Sequence, residues 1–222
     1  MVNPGKEDSR VKTAQSSDDH TKITGAENNY KAKRWFYGTL AWLAVLLIGI
    51  AVIVIIVDPY FHYHKPLSFL SYRIYEERYV NDGISRHFTY DAVITGTSMS
   101  QNFKTSELDE LFGTQSVKEP FSGAGFKELS ESLDRTLQYG QEIKMVVMPL
   151  DYNALLQDAD WEKYEEYPTY LYDNNIFNDT RYVWNKAIFY HGAVADLLRT
   201  VSGEPTTTMD EYSAWVRETG LK

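Results

Sequence analysis

The stretch YDAVITGTSMSQNF (residues 90–103) joins a β-branched apolar run to a small polar turn. Ala92-Val93-Ile94 has the composition of a strand covered on both faces, and it stops at Gly96, followed by Thr97, Ser98, Met99 and Ser100. A serine hydroxyl presented just beyond a buried strand can attack an ester, or it can simply close a turn. Two further segments place polar groups after an extended piece: the glycine loop FSGAGF (121–126), and Asp151-Tyr152-Asn153 at the end of the apolar run IKMVVMPLDYN (143–153). His62 and His64, two apart, would share one face of a strand and could reach one metal. No neighbouring cluster supplies further ligands at clear spacing, and an interfacial aromatic–imidazole belt is the plainer reading.

The elements around these residues alternate. A strand at about 90–96 leads into the helix KTSELDELFG, with Ser106 as the expected N-cap and Gly113 as its stop. A short extended piece runs from Gln115 to Pro120. The helix KELSESLDRTLQYG then places Leu129, Leu133 and Leu137 on one face and closes at Gly140. The run at 143–153 reads as another buried strand. Strand–helix–strand–helix–strand with these connections implies βαβ units and a parallel sheet, in which ligands bind beyond the carboxyl ends of the strands. Ser98, the 121–126 loop and Asp151-Tyr152-Asn153 all fall on that edge. Upstream, Tyr72, Tyr75 and Tyr79 have helical spacing, with Asn81-Asp82-Gly83 as the expected stop. Downstream, the tyrosine-rich segment 158–190 is expected either to cover the sheet or to offer a glycan-binding surface. HGAVADLLRT (191–200) reads as an amphipathic helix with Val194, Leu197 and Leu198 inward. The last segment reads as another helix capped by Thr208.

The chain has 222 residues, a net charge of −9, 43% hydrophobic and 14% aromatic residues, and no cysteine. Disulfides, thiolate zinc sites and cysteine nucleophiles are thereby excluded, and the acidic balance argues against a nucleic-acid partner. Residues 35–57 form an uninterrupted apolar run, about 35 Å of helix at about 1.5 Å per residue, enough to span a bilayer. It is too long for a signal-peptide core and no small-residue cleavage site follows, so it reads as an uncleaved anchor in the lipid bilayer. Lys31, Lys33 and Arg34 abut its amino end, whereas Asp58 follows its carboxyl end. The positive-inside rule then places 1–34 in the cytoplasm as a disordered tail and the rest outside. The expected organisation is a tail (1–34), a transmembrane helix (35–57), a juxtamembrane collar (58–88) and an α/β domain (89–222).

ITGTSMSQNF resembles the first block of the SGNH/GDSL hydrolases, in which a strand runs into Gly-x-Ser and the serine is the nucleophile. FSGAG resembles their second block, and VVMPLDYN sits where the third would end a strand. With its single anchor the chain is most similar to the membrane-attached envelope branch, such as D-alanine-transfer and polysaccharide O-acyl-transfer proteins. The resemblance covers roughly 88–155 and implies a flavodoxin-like parallel-sheet domain that needs no cofactor. It implies Ser98 as nucleophile and backbone N–H groups of Ser98 or its neighbour and of Gly123 for the oxyanion, with Tyr152 and Asn153 toward substrate. The implied partners are cell-wall polysaccharide or a membrane acyl-transfer protein.

Two departures follow. The family's third block offers an asparagine donor where this chain has Asp151, and an ionised aspartate cannot donate. Its last block, Asp-x-x-His, is missing: His20, His62, His64, His87 and His191 all lack an aspartate three residues before them. The chain is therefore expected to be incomplete, as a truncated product or part of a longer protein, and inactive by itself. The alternative is a non-catalytic envelope protein that binds glycan or a partner. A flavodoxin-like phosphate cofactor fits less well, because the turn after the first strand lacks the glycines that cradle phosphate.

Overall fold

Backbone hydrogen bonding and the burial of β-branched residues organise the chain around a short parallel sheet. The computed structural model describes residues 5–140, 142–152, 156, 168–171, 173, 175 and 177–215, with side chains from Asn29 onward. The chain divides into two compact units, 1–49 and 50–222.

The first unit is helical from Gly5, within helix α1 (Gly5–Val57), so the stretch expected to be a disordered tail is described as helix. Over Asn29–Val57 this helix is long and apolar enough to cross a membrane. Trp35, Phe36, Trp42 and Leu43 stand exposed, and Thr39 returns its hydroxyl to the Trp35 carbonyl at 3.0 Å, which removes an unpaired donor from the apolar run.

In the second unit, strands β1 (Ala92–Gly96), β2 (Ser116–Pro120) and β3 (Met145–Val147) are all parallel, in the order β2-β1-β3. The expected α/β class with a parallel sheet is thus present. Central β1 is buried throughout, as its composition predicts. The strand expected over 143–153 pairs only at Met145–Val147, and Val146 is 39% exposed, because β3 is an edge. β2 buries all five residues although two are charged. Alternation sends Lys118 and Glu119 to opposite faces. Lys118 Nζ donates to the carbonyls of Gln101 (2.7 Å) and Asp210 (3.1 Å). Glu119 accepts from Ser85 Oγ (2.8 Å) and Thr136 Oγ1 (2.5 Å).

Those partners belong to two helices packed beside the sheet, α2 (Glu77–His87) and α4 (Phe126–Tyr139). The expected stop at Asn81-Asp82-Gly83 lies inside α2 instead. Gly83 is needed there because a Cβ would collide with the Tyr60 carbonyl. Asn81 donates to the Pro120 carbonyl at 2.8 Å, and Asp82 pairs with Arg86 at 2.7 Å. On α4 the buried face is Glu128, Leu129, Ser132 and Thr136, while Leu137 is 48% exposed. The face expected to be a leucine stripe is rotated to bring its hydroxyls onto Glu119. Helix α3 (Thr105–Phe112) ends at Gly113 with φ 66°, as expected. Its start is capped from afar: Asp210 accepts from Thr105 Oγ1 (2.9 Å), Ser106 N (3.0 Å) and Ser106 Oγ (2.5 Å), so Ser106 lies within the first turn.

The collar is core rather than belt. Tyr60, Phe61, Tyr72 and Ile74 are buried with Val80, Ile84, Val93, Val117, Tyr182 and Tyr212. Asp58 makes this turn possible. Fully buried, it accepts from the backbone N–H of His62 (2.9 Å), Tyr63 (2.7 Å) and His64 (3.0 Å) and from the Tyr182 hydroxyl (2.8 Å), which itself accepts from Tyr60 N (3.2 Å). Burial pushes the Asp58 carboxyl up, and these donors oppose the shift.

After a π-helical stretch (Ile188–Val194), α5 (Ala195–Ser202) leaves Leu198 64% exposed, not inward as expected. Of the expected final helix, the described residues to 215 form a single turn over 208–212. Thr208 Oγ1 accepts from Glu211 N, and Glu211 accepts from Thr208 N, a reciprocal capping box. From 206 to 215 the chain is a strap: Tyr72 N donates to Thr206 Oγ1 (3.1 Å), and Tyr212 donates to Asn81 (2.5 Å).

Two predictions follow from the buried polar groups. Tyr182→Phe strands the Tyr60 N–H and takes a donor from Asp58. It should cost about 1–3 kcal/mol and lower Tm by several degrees, and an unchanged thermal unfolding curve contradicts the assignment. Burial also pushes Glu119 and Asp196 up to about 7. The folded chain then keeps protons that the unfolded chain releases near 4, so these groups remove stability as pH rises from about 4 to about 7. Glu119→Gln should flatten the fall of Tm over that range, and an unaltered slope counts against it.

Candidate functional site

At the carboxyl edge of the sheet, Gly96 pairs in register with Pro120, and the Phe121 N–H donates to the Gly96 carbonyl at 2.8 Å. The two strands therefore end together. Gly96 has φ 135°, a conformation side chains rarely adopt, and a Cβ there would press Pro149 and Ser100. This lets β1 turn into a 3-10 helix, Ser98–Asn102. Ser100 is fully buried and returns its hydroxyl to the Thr97 carbonyl at 2.8 Å. Thr97 Oγ1 caps the helix by accepting from Met99 N (3.4 Å) and donates to Asp151 Oδ2 at 3.0 Å.

Ser98 opens this helix half-buried, and among the described residues its hydroxyl has no hydrogen-bond partner. In the loop after β2, Gly123 sits at φ 67°, and its N–H likewise meets no acceptor among the described residues. The adjacent Ser122 N–H is occupied by Glu77 Oε2 at 2.5 Å. Ser98, the glycine loop and Asp151 thus share one sheet edge, with Asp151 joined to the serine turn through Thr97. Tyr152 follows, 72% exposed. Asn153 lies outside the described residues, as does all of 158–167.

The arrangement offers a free hydroxyl and a free amide, which is part of what acyl transfer needs. Among the described residues no histidine contacts Ser98. His62 Nε2 pairs with Asp179 at 3.1 Å, and the two ring nitrogens of His64 meet the Lys65 and Ile55 carbonyls. The two rings therefore go to different partners, and among the described residues no three His, Asp or Glu gather as metal ligands. The carbonyl of exposed His191 accepts from the Tyr75 hydroxyl at 2.6 Å. Asp151 is an acceptor for Thr97, so it takes a hydrogen bond where the family's asparagine would give one.

Three residues of this edge escaped the sequence reading. Glu77 receives Gln101 Nε2 and Ser213 Oγ besides Ser122 N. Arg78 holds Glu128 through two nitrogens (3.0 and 3.1 Å) and reaches the Ser122 carbonyl at 3.4 Å. Gln101 is 9% exposed. On the α3 side of the sheet lies a groove of about 340 Å³, lined by Ile94, Phe103, Leu108, Leu111 and Val147 with Lys104 and Glu107 at its polar margin. Comparison with known proteins found no family model, no curated sequence and no solved structure that matches this chain.

Proposed function

We propose that this chain is a membrane-anchored SGNH-like acyl-transfer domain on the outer side of the cell membrane. It acts on ester groups of envelope polymers and needs a base that no described residue supplies at Ser98. The observation that carries the reading is the shared edge on which Ser98 and Gly123 leave a hydroxyl and an amide unengaged, while Thr97 and Asp151 hold the turn between them. In the step this supports, Ser98 Oγ bonds to the ester carbonyl carbon as its proton passes to the base. The carbonyl oxygen gathers charge against the Gly123 N–H. Collapse breaks the bond to the alcohol, which leaves with that proton, and the acyl group stays on Ser98. Lys31, Lys33 and Arg34 before the apolar helix support a cytoplasmic amino terminus, which puts the domain after the helix on the outer side.

The second reading is a non-catalytic envelope protein that binds glycan or a partner. The lack of a histidine at Ser98 among the described residues favours it. The described tyrosines of the 158–190 segment do not favour it equally: Tyr182 is fully buried and Tyr170 packs against the core, while Tyr190 is exposed.

Chemical rescue separates the two. With the full chain in detergent, a fluorophosphonate probe should label Ser98 slowly, and imidazole at about 100 mM should raise the rate roughly tenfold or more by supplying the base. Ser98→Ala should abolish both rates. Labelling that ignores Ser98 even with imidazole rejects the acyl-transfer reading. Fast labelling without imidazole rejects the missing base.

A further inference from the structure

We infer that Glu77 is a positioning residue that clasps the serine turn to the glycine loop, with the carboxyl-terminal strap as the third member of the clasp. The purpose assigned to it rests on the acyl-transfer reading, whereas the clasp itself rests on hydrogen bonds. Its carboxylate, in a residue 9% exposed, gathers donors from three separate segments. Gln101 Nε2 comes from the 3-10 helix that Ser98 opens, and Ser213 Oγ comes from the strap, both to Oε1. The Ser122 N–H comes from the glycine loop to Oε2 at 2.5 Å. A carboxylate accepts through two oxygens and donates nothing, so it can serve three donors that a neutral amide would not.

The neighbours of Glu77 make the grip two-sided. Arg78 takes the Ser122 carbonyl while Glu77 takes the Ser122 N–H, so two successive peptides of the loop, on either side of one residue, are held. Glu76, just before them, sits at φ 58°, a left-handed conformation unusual for a non-glycine residue, at the start of α2. Trp215 N, two residues past Ser213, donates to Asn102 Oδ1 at 3.2 Å, so the strap touches the serine turn a second time. With the Ser122 backbone engaged and Gln101 tied down, the Ser98 hydroxyl and the Gly123 amide are among the groups left without a partner among the described residues.

Hydrogen exchange of the full chain in detergent tests this without requiring activity. In Glu77→Gln, amides of 98–103 and 121–125 should exchange together about tenfold faster, with β1 and α4 unchanged within about twofold. The double variant Glu77→Gln/Gln101→Glu restores the 77–101 pair with its direction reversed, leaves the amide oxygen introduced at position 77 to accept the Ser122 N–H, and should slow both segments again. Acceleration of only one segment, of the whole domain alike, or of neither overturns the clasp. Should Glu77→Gln not fold, Gln101→Ala should loosen 98–103 and spare 121–125, and any other pattern overturns it. Fluorophosphonate labelling is read separately: unlabelled Ser98 with intact coupling removes the acyl-transfer reading and leaves the clasp, while labelled Ser98 without coupling does the reverse.

Discussion

The carboxylate of Asp58 is the constraint on which the second unit turns. It lies fully buried where α1 ends, and it converts an apolar helix into a tight reversal by accepting three successive backbone N–H groups. Asp58 and Phe61 both adopt positive φ (46° and 58°), each costing about 1–2 kcal/mol for a non-glycine residue. Hydrogen bonds to a charged acceptor, each about 1.5–3 kcal/mol, offset that strain. The reversal delivers Tyr60 and Phe61 into the core and presents the Tyr60 carbonyl to α2, which is why residue 83 is glycine. Tyr182 closes the arrangement across 124 residues of chain. Gly192 serves the same region, since a Cβ there would press against Pro59.

Polar groups of this kind do the specifying elsewhere too. A three-stranded sheet buries little, and β2 gives up two of its five positions to Lys118 and Glu119. Burial moves these in opposite senses, the lysine down to about 8 and the glutamate up to about 7. Each is satisfied by groups that fix a neighbour: Glu119 registers α2 against α4 through Ser85 and Thr136, and Lys118 registers the 3-10 helix against the strap through two carbonyls. The candidate edge therefore takes its geometry from buried ionisable groups as well as from the apolar core that includes Val93 and Val117. Val54 and Val57 belong to that core as well, so the apolar run of the sequence serves two environments.

Local signals were legible where structure is local. The β-branched run of β1, the Gly113 stop and the convergence of three segments at one sheet edge could all be read from spacing. The Glu77 clasp could not, because its donors lie 24, 45 and 136 residues away and no period connects them. Gly83 looked like a helix stop because glycine usually supplies a cap, and here it supplies close approach. Ser106 looked like an N-cap because the capping oxygen of Asp210 arrives from 104 residues downstream. Leucines on α4 suggested the buried face, yet satisfying Glu119 outweighed burying Leu137.

In the proposed acyl transfer, Ser98 and the Gly123 amide address one reacting carbonyl. A crystal structure of the chain carrying a phosphonate on Ser98 Oγ should show a phosphonyl oxygen within about 2.7–3.1 Å of the Gly123 nitrogen. A phosphonyl group turned to solvent, with the Gly123 N–H directed elsewhere, would contradict it.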